Sequence, residues 1–302
     1  MAASIRPLLI AGTALIGALP ATAQQRPTVI PAPVTSGPAA VTDAAARAAI
    51  RRITVRKVIL VGDSTTQTNS GWGGAFCATR LVSFVSCVNL ARGGRGTFDY
   101  RAEGSWAIAQ AEMAVPGYER VYVLIQFGHN DQPGKPGRST DLATEYPANL
   151  RRYVAETRAA GAVPVLVTPL TRRQFKDGSL QDDLMPWAEA VRRIARETNT
   201  PLVDLHASSV AAVQAMGARA AADLAELPPP PDVAKAALTG TTIAAAKVSA
   251  APTTEVREGP QARPTVVFDY THLGPAGAAL FARQVAEGLS RAVPALARDL
   301  IP

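Results

Sequence analysis

The hydrophobic positions of this sequence form five short, continuous runs that are separated by longer segments of mixed character. Apolar residues dominate the runs at residues 58–61, 85–90, 121–125, 163–167 and 202–205. A run of this length predicts a strand buried on both faces, because a half-buried strand would alternate with polar positions. Strands that alternate with helices favour a parallel sheet, so the chain is predicted to be an α/β protein, a three-layer α/β/α domain with five strands.

The segments between these runs predict helices. Their predicted bounds are 72–81, 97–115, 142–160, 182–198, about 210–227 and 275–292. Asp141 precedes the third of them and is a suitable N-terminal cap, since its carboxylate can accept a backbone N–H of the first turn. The fourth is amphipathic, because its apolar positions recur at helical spacing on one side.

The N-terminal part of the chain, residues 1–53, does not follow this alternation. Residues 1–23 combine one charge at Arg6 with an apolar stretch and end in small residues, which is typical of a secretory signal peptide cut after about Ala23. We therefore expect a secreted or periplasmic protein. Residues 24–53 predict a flexible leader that holds a short helix, ahead of a folded domain at 54–302.

A second irregular segment interrupts the domain before its last helix. Residues 207–263 lack aromatic side chains and contain four consecutive prolines at 228–231. We expect a helix and then a poorly ordered insert around 228–263, which is long for a connection inside a domain. A lid that contacts substrate and a tolerated surface insertion both fit this segment, and the sequence favours the surface insertion.

The formal net charge of +7, supplied mostly by arginine, allows several classes of acidic partner. Long lysine runs with interleaved aromatic residues, which mark nucleic-acid surfaces, are absent, so we expect no nucleic-acid partner. After residue 23, no apolar stretch approaches the ~20 residues of a spanning helix. We expect no stable membrane insertion and a monomeric protein.

Cys77 and Cys87 are the two cysteines of the chain. An oxidising compartment would allow them to pair, but their spacing in sequence fixes no distance, so the disulfide stays open here. Two cysteines without a histidine cluster do not make a zinc site.

Polar residues follow the first strand directly, where an open α/β sheet places its ligands. Ser64 stands there, and a serine hydroxyl becomes a nucleophile when a base takes its proton and a third group orients that base. Three histidines are available. His272 follows Asp269 by three residues, His206 lies next but one to an acid at the end of strand five, and His129 lies in a polar loop.

Acyl transfer also requires hydrogen-bond donors for the developing oxyanion. The backbone N–H of Ser64 is one candidate. Gly94, after the second strand, allows a backbone N–H to approach substrate, and Asn130, after the third strand, offers a side-chain amide. Three successive strand ends are therefore predicted to converge on one place.

These residues resemble the SGNH hydrolase superfamily of GDSL-type esterases. The resemblance covers about residues 58–290 without the insert, in four blocks: Gly62-Asp63-Ser64, Gly94, Gly128-His129-Asn130-Asp131 and Asp269-Tyr270-Thr271-His272. Within them, Gly62-Asp63-Ser64-Thr65, Phe127-Gly128-His129-Asn130-Asp131-Gln132 and Val167-Thr168-Pro169 are most similar to the rhamnogalacturonan acetylesterase group. Four blocks in the correct order are a specific signal, whereas any one of them alone is weak.

The resemblance implies a flavodoxin-like strand order and a serine hydrolase without metal or organic cofactor. By it, Ser64 is the nucleophile, His272 the base and acid, and Asp269 its partner, with Ser64, Gly94 and Asn130 as oxyanion donors. The implied substrate is an O-acetylated plant cell-wall polysaccharide, with pectin or rhamnogalacturonan first and xylan second. The alternatives are a GDSL-type lipase or thioesterase, and a glycan-binding module without activity.

Four residues are candidates for substrate contact. Arg172 and Arg173 follow strand four, where they would meet a uronate carboxylate or else form a solvated basic face. Arg95 and His129 lie in the second and third blocks. The sequence departs from the acetylesterase group in two places: Arg95 is followed by Gly96 instead of serine, and the long insert has no counterpart.

Overall fold

The computed structural model describes residues 42–50, 55–244 and 267–301. The chain divides into two units, Met1–Arg52 and Ile53–Pro302. In the first unit, the structure describes one helix, α1 (Asp43–Ala48), which Thr42 caps and which buries none of its residues. The predicted signal peptide at 1–23 lies outside the described residues, as does most of the predicted leader.

The second unit is built on a five-stranded parallel sheet. Its strands are β1 (Val55–Gly62), β2 (Val85–Asn89), β3 (Tyr118–Gln126), β4 (Val163–Val167) and β7 (Leu202–Val203). They lie in the order β2-β1-β3-β4-β7, and every neighbouring pair is parallel. This is the flavodoxin-like order, so the predicted three-layer α/β/α fold is confirmed.

Helices cover both faces of this sheet. In chain order they are α2 (Gly73–Thr79), α3 (Asp99–Ala102), α4 (Ser105–Met113), α5 (Glu145–Ala159), α6 (Met185–Glu197), α7 (Leu205–Ala222), α8 (Pro231–Ala237), α9 (Pro275–Ala292) and a 3-10 helix at Pro294–Asp299.

Alternate residues of β1 enter two separate hydrophobic cores, because successive side chains of a strand point to opposite faces. Val58 and Leu60 pack with side chains of α2, α7 and α9. Ile59 and Val61 pack with side chains of α4, α5 and α6. All four are fully buried, which explains why this strand reads as a continuous apolar run.

Several predicted elements have different bounds in the structure, each for a local reason. The predicted helix at 97–115 is two helices, α3 and α4, since Gly104 between them has a φ of 89°. Asp141 does not cap α5 directly; its carboxylate binds the N–H groups of Ala143 and Thr144 in the turn before that helix. The last strand stops at Val203, because Asp204 caps α7 and so starts that helix earlier than predicted.

The sequence did not predict the 3-10 helix at Pro294–Asp299, a hairpin after β4, or helix α8. A short antiparallel hairpin, β5 (Phe175–Lys176) and β6 (Ser179–Leu180), follows β4. Helix α8 lies inside the segment predicted to be poorly ordered, and its Val233 is fully buried beside Phe268 and Tyr270. Residues 228–244 therefore pack against the segment that carries Asp269 and His272. Residues 245–263, the rest of the predicted insert, lie outside the described residues.

A disulfide joins Cys77 to Cys87, which ties α2 to β2. The pairing that the sequence left open is therefore present. Within the described part of the chain, no helix combines the length and the apolar character needed to cross a membrane.

Candidate active site

Ser64 lies in a tight turn at the carboxyl end of β1. The N–H groups of Thr66 and Gln67 both donate to the Asp63 carbonyl, at 3.1 Å each. The Asp63 carboxylate accepts two further bonds from Thr65, one from its N–H and one from its hydroxyl, each at 2.8 Å. These bonds close the turn on itself and leave Ser64 at its tip, 8% exposed.

Gln126, the last residue of β3, holds this turn from the neighbouring strand. Its amide N–H donates to the Thr65 hydroxyl at 2.7 Å. Its carbonyl oxygen accepts from the Thr66 hydroxyl at 3.0 Å and from the Trp72 indole N–H at 2.6 Å. All of these groups are buried, so each bond also satisfies a polar atom that has no access to water.

His272 links Ser64 to Asp269 through its two ring nitrogens. Its Nε2 lies 2.9 Å from Ser64 Oγ, and its Nδ1 lies 2.6 Å from Asp269 Oδ2. The other oxygen of Asp269 accepts the backbone N–H groups of Thr271 and His272, at 2.7 Å each. In the neutral ring, Nδ1–H donates to the carboxylate and Nε2 is free to accept the serine proton. This is the geometry of an activated nucleophile.

The ionisation of both partners suits this arrangement. The pKa of His272 lies above its ordinary value of 6.5, chiefly because of the hydrogen bond to Asp269, which outweighs the burial of the ring. Burial alone would raise the pKa of Asp269, but the bonds from His272 and Thr271 lower it to about 2. Asp269 is therefore an anion at neutral pH and stabilises the imidazolium that forms when His272 takes a proton.

Arg173 holds the loop that carries these two residues. Its guanidinium is fully buried and donates to the backbone carbonyls of His272 at 2.7 Å, Thr271 at 3.2 Å and Asp269 at 3.3 Å. The backbone N–H of Arg173 donates to the Tyr270 carbonyl at 3.0 Å. The prediction that Arg173 contacts substrate is wrong, because this buried side chain is directed at the loop and not at solvent.

The prediction that His129 contacts substrate is also wrong. Its ring is 3% exposed, and its Nδ1 lies 3.4 Å from Asp63 Oδ2. Burial lowers the pKa of this ring below 6.5. His129 therefore packs against Asp63 of the nucleophile turn.

Arg95 and Arg172 remain partly exposed, but both are bound within the protein. Arg95 pairs with Glu103 at 2.9 Å and also donates to the Gly93 carbonyl. Arg172 forms an ion pair with Asp183. No contact of either with substrate is shown, so those roles stay predictions.

Gly94 and Asn130, the other two predicted oxyanion donors, lie in two loops that are bonded to each other, and the first of these loops passes beside Ser64. A Cβ atom on Gly93 would stand 3.6 Å from Ser64 Cβ, so the loop after β2 passes close to the nucleophile. The next residue, Gly94, has a φ of 78°, which side chains disfavour. The Asn130 amide donates to the Arg95 carbonyl at 3.1 Å, and its second N–H is left for a ligand.

Gly96, where the sequence departs from the acetylesterase group, lies against the Asp131 carboxylate. A Cβ atom there would come within 3.1 Å of the Asp131 carboxylate. That carboxylate accepts the N–H and hydroxyl of Thr97 and the hydroxyl of Thr140. Burial raises the pKa of Asp131 to about 6. Asp131 therefore joins the loop after β2 to the loop after β3, which carry Gly94 and Asn130.

His206 does not contact Ser64. Its Nδ1 accepts from Arg192 at 3.4 Å, and its Nε2 lies 2.8 Å from Asp182. Asp204 binds Arg192 and caps α7, so it does not share a strand face with His206. Through Asp182 and Arg192, His206 therefore holds α7 against α6.

Ser64 and His272 open onto a cleft of about 1050 Å³. Gly93 and Gly94 form one part of its wall, and the polar residues 67–70 that follow the nucleophile turn form another. Glu226 and Val267 line the side near His272. In the described ranges, no three His, Cys, Asp or Glu side chains are grouped so as to hold a metal ion.

Sequence reasoning missed three residues of this site. Gln126 ends an apolar strand, and a polar residue at that point was the signal that could have revealed it. The actual role of Arg173 and the position of Glu226 had no such signal, because they depend on contacts with residues 269–274, which are distant in sequence.

Comparison with known proteins gives a consistent set of relatives. The model of the GDSL-like Lipase/Acylhydrolase family matches residues 60–280. The probable rhamnogalacturonan acetylesterase YesY of Bacillus subtilis is 34% identical over 160 residues, covering 51% of this chain and 72% of the relative. The rhamnogalacturonan acetylesterase RhgT of the same organism is 34% identical over 169 residues, covering 53% and 69%.

A crystal structure of the Bacillus subtilis protein YXIM shares the fold. It aligns with a TM-score of 0.57 and 21% identity and covers 79% of this chain. The alignment spans 57% of that structure, so this chain matches little more than half of its length.

Proposed function

Since this chain belongs to the GDSL-like lipase/acylhydrolase family, we propose that it is a carbohydrate acetylesterase that uses Ser64, His272 and Asp269 for catalysis. The observation that carries the proposal is the hydrogen-bonded chain from Ser64 Oγ through His272 to Asp269, which opens onto the cleft. The relatives YesY and RhgT are named as rhamnogalacturonan acetylesterases, which supports an acetyl ester of a carbohydrate as the substrate.

In the first step, Ser64 attacks the carbonyl carbon of the acetyl group. His272 Nε2 takes the hydroxyl proton as the Oγ–carbon bond forms, and Asp269 stabilises the resulting imidazolium. The carbonyl oxygen gains negative charge, and we assign its stabilisation to the N–H groups of Ser64, Gly94 and Asn130. One such donor is worth about 10²–10³ in rate.

In the second half of the reaction, the intermediate loses the sugar alcohol. The imidazolium of His272 gives its proton to the leaving oxygen, and the acetyl group stays on Ser64. A water molecule then attacks this ester while His272 takes one of its protons. Acetate leaves and Ser64 regains its hydrogen, so the enzyme returns to its starting state.

The finer assignment concerns substrate and location. We propose O-acetylated plant cell-wall polysaccharide as the substrate, with rhamnogalacturonan or another pectin first and xylan second; the names of the relatives support this order. We also propose export through a signal peptide at residues 1–23, and action as a monomer.

Release of acetate tests this function. Purified protein without residues 1–23 should release acetate from acetylated pectins or xylans, and Ser64→Ala should release none. Hydrolysis of a small activated acetate ester without release from any polysaccharide would support a lipase or thioesterase of the family. No hydrolysis of any ester, with Ser64→Ala identical to the parent protein, would contradict an enzyme and support a glycan-binding module.

A further inference from the structure

The loop after β3 carries two cations to the edge of the cleft. In its part at residues 132–139, the basic side chains are Lys135 and Arg138. The Arg138 guanidinium donates to the carbonyl of Gly94, a residue of the cleft wall, at 3.1 Å. Arg138 is exposed, and a guanidinium has five N–H donors, so several of them stay available to a ligand.

Backbone hydrogen bonds hold these two residues in one turn. The N–H groups of Arg138 and Ser139 both donate to the Lys135 carbonyl, at 3.0 and 2.9 Å. The Ser139 hydroxyl accepts the Lys135 N–H at 2.9 Å. The Thr140 N–H donates to the Asp131 carbonyl at 2.9 Å, which closes the loop at its base. The loop therefore keeps Lys135 and Arg138 close together although it lies at the surface.

A third cation, Arg172, is joined to this loop through Asp183. The Gln132 amide donates to the Asp183 carbonyl at 3.0 Å and to the Asp183 carboxylate at 3.2 Å. The same carboxylate forms the ion pair with Arg172. Asp183 therefore balances the charge of Arg172. Neither Lys135 nor Arg138 is paired with an acid among the described residues.

The ammonium of Lys135 lies among like charges. Its side chain is half-buried, and no described group forms a hydrogen bond or ion pair with the ammonium. Burial and the nearby charges of Arg172 and Arg138 lower the pKa of Lys135 below its ordinary value. The carboxylates of Asp63 and Asp183 act in the other direction, but both are bonded to other groups. A carboxylate that bound between these cations would relieve their repulsion.

The acids of the cleft wall lie in another part of it, near His272. Asp269 is bonded to His272, and the charge of Glu226 acts on the same ring. The cations instead lie beyond Gly94, whose carbonyl Arg138 binds. The charges of the two parts of the wall therefore favour one orientation of an anionic substrate, with its carboxylate toward Gly94 and away from Glu226.

We propose that Lys135 and Arg138, with the paired Arg172 beside them, form a subsite for the carboxylate of a uronate ring of the substrate. An arginine binds a carboxylate through two parallel N–H groups, and a lysine adds a point charge. This inference rests on the proposed acetylesterase function and deepens it, since it names residues that would favour pectin over xylan. A neutral xylo-oligosaccharide has no group for this subsite.

The test compares acetylated oligogalacturonides with acetylated xylo-oligosaccharides of equal length. Lys135→Gln should raise KM for the acidic substrate about tenfold with little change in kcat, since one hydrogen bond between charged groups is lost. The preference for acidic over neutral substrate should fall by a similar factor, and Lys135→Arg, which keeps the charge, should restore most of it. Arg138 is kept in these variants, because its removal would also free the Gly94 carbonyl.

Arg120→Gln is the matched control. Arg120 is an exposed cation near the start of β3, where it pairs in register with Arg56 at the other end of β1 from Ser64. Its variant loses the same charge as Lys135→Gln and should leave KM and the preference unchanged. Added salt should raise KM for the acidic substrate more in the parent protein than in Lys135→Gln, because screening weakens attraction between charges. Equal effects of the two variants, or an unchanged preference in Lys135→Gln, would overturn the inference.

A binding measurement separates this inference from the proposed function. In a Ser64→Ala background, Lys135→Gln should weaken binding of unacetylated oligogalacturonide about tenfold, the loss expected for a hydrogen bond to a charged group, and Arg120→Gln should not. This result would support the subsite even if the parent protein released no acetate. Unchanged binding in Lys135→Gln, together with normal acetate release by the parent protein, would reject the subsite and leave the esterase intact.

Discussion

The nucleophile and its base come from two regions that are supported in different ways. The nucleophile turn, residues 63–66, continues a fully buried central strand, and several side chains and backbone groups hold it at once. In the base loop, residues 269–272, and in the two described residues before it, no residue belongs to a strand. His272 and Asp269 are 35% and 37% exposed, and one arginine binds the carbonyls of the loop from behind. Side chains of two neighbouring strands hold the first region, whereas in the second region one buried arginine side chain binds three backbone carbonyls of the loop.

The difference has a physical origin. A turn at the end of a sheet strand is held in place by that strand, and its polar groups need only local partners. A loop that reaches the sheet edge from elsewhere brings buried carbonyls with it, and a donor must satisfy them. Arg173 supplies those donors at the cost of burying a cation, and burial lowers its pKa to about 10, which still leaves it charged at neutral pH.

The largest effect on kcat is expected from replacing the reacting groups themselves, however each region is supported. His272→Ala should lower kcat by about 10⁴-fold or more, since a triad acts as a unit. His206→Ala should keep most of the activity, because that ring is bound to Asp182 and Arg192. Acetate release measures both. Loss of activity in His206→Ala with retention in His272→Ala would reassign the base.

Arg173→Met tests whether the base loop depends on one residue. We expect kcat to fall about 10²-fold with little change in KM, because the variant leaves three carbonyls without a donor at about 1–3 kcal/mol each. Arg173→Lys keeps the charge but reaches fewer carbonyls, so its kcat should be intermediate.

Circular dichroism would show whether each Arg173 variant is folded. Arg172→Met is the control, since it removes an ion pair with a partly exposed aspartate and should change kcat less than about threefold. If Arg173→Met retained full kcat, the loop would not depend on this arginine.

Gln126→Met tests the redundancy of the nucleophile turn. It removes three buried hydrogen bonds, so the free energy of unfolding should fall by about 2–4 kcal/mol. The bonds within residues 63–67 remain, and kcat should fall only about tenfold, the factor that corresponds to ~1.4 kcal/mol. Urea unfolding and acetate release measure the two effects. A larger loss of kcat than in Arg173→Met would reverse the comparison.

The pH profile reports on His272 of the base loop. His272 acts as a base when neutral, and its folded-state pKa is raised above 6.5. The acid limb of kcat/KM should therefore have its midpoint above pH 6.5, with activity lost as pH falls through it. A midpoint below pH 6.5 would mean that burial, and not the hydrogen bond to Asp269, determines the pKa of His272.

The smallest effect on activity is expected from replacing Asp131, which joins the loop that carries Gly94 to the loop that carries Asn130. Asp131 has a pKa of about 6 in the folded protein against 3.8 ordinarily, so the folded state binds more protons between these values and stability falls as pH rises through them. Asp131→Asn should be more stable than the parent protein at pH 8, by about 1–3 kcal/mol. The difference should vanish below about pH 4. A destabilised variant at pH 8 would contradict this.

The two regions also differ in how far the sequence predicted them. Strand β1, which leads to Ser64, could be predicted because a strand buried on both faces is a continuous apolar run. The hairpin at 175–180 was not, since its strands are two residues long and carry no period. The break at Gly104 was missed because glycine is tolerated inside many helices.

For the site, the resemblance indicated which residues meet, but not what supports them. Ser64, Asp269 and His272 lie in the blocks of the family and come together as expected. Arg173 follows a strand, as a solvent-facing residue would, and its burial is decided by the packing of the loop at 269–272 over it. His129 shares a block with Asn130, but its ring lies against Asp63, whereas the Asn130 amide binds the Arg95 carbonyl of the loop after β2.

The central claim is that Ser64 carries the acetyl group during turnover. The most direct measurement is mass spectrometry of the protein quenched during hydrolysis of an acetylated oligosaccharide. The account predicts an acetyl adduct on the peptide that contains Ser64, which is absent from Ser64→Ala. An adduct on another residue, or acetate release that persists in Ser64→Ala, would contradict it.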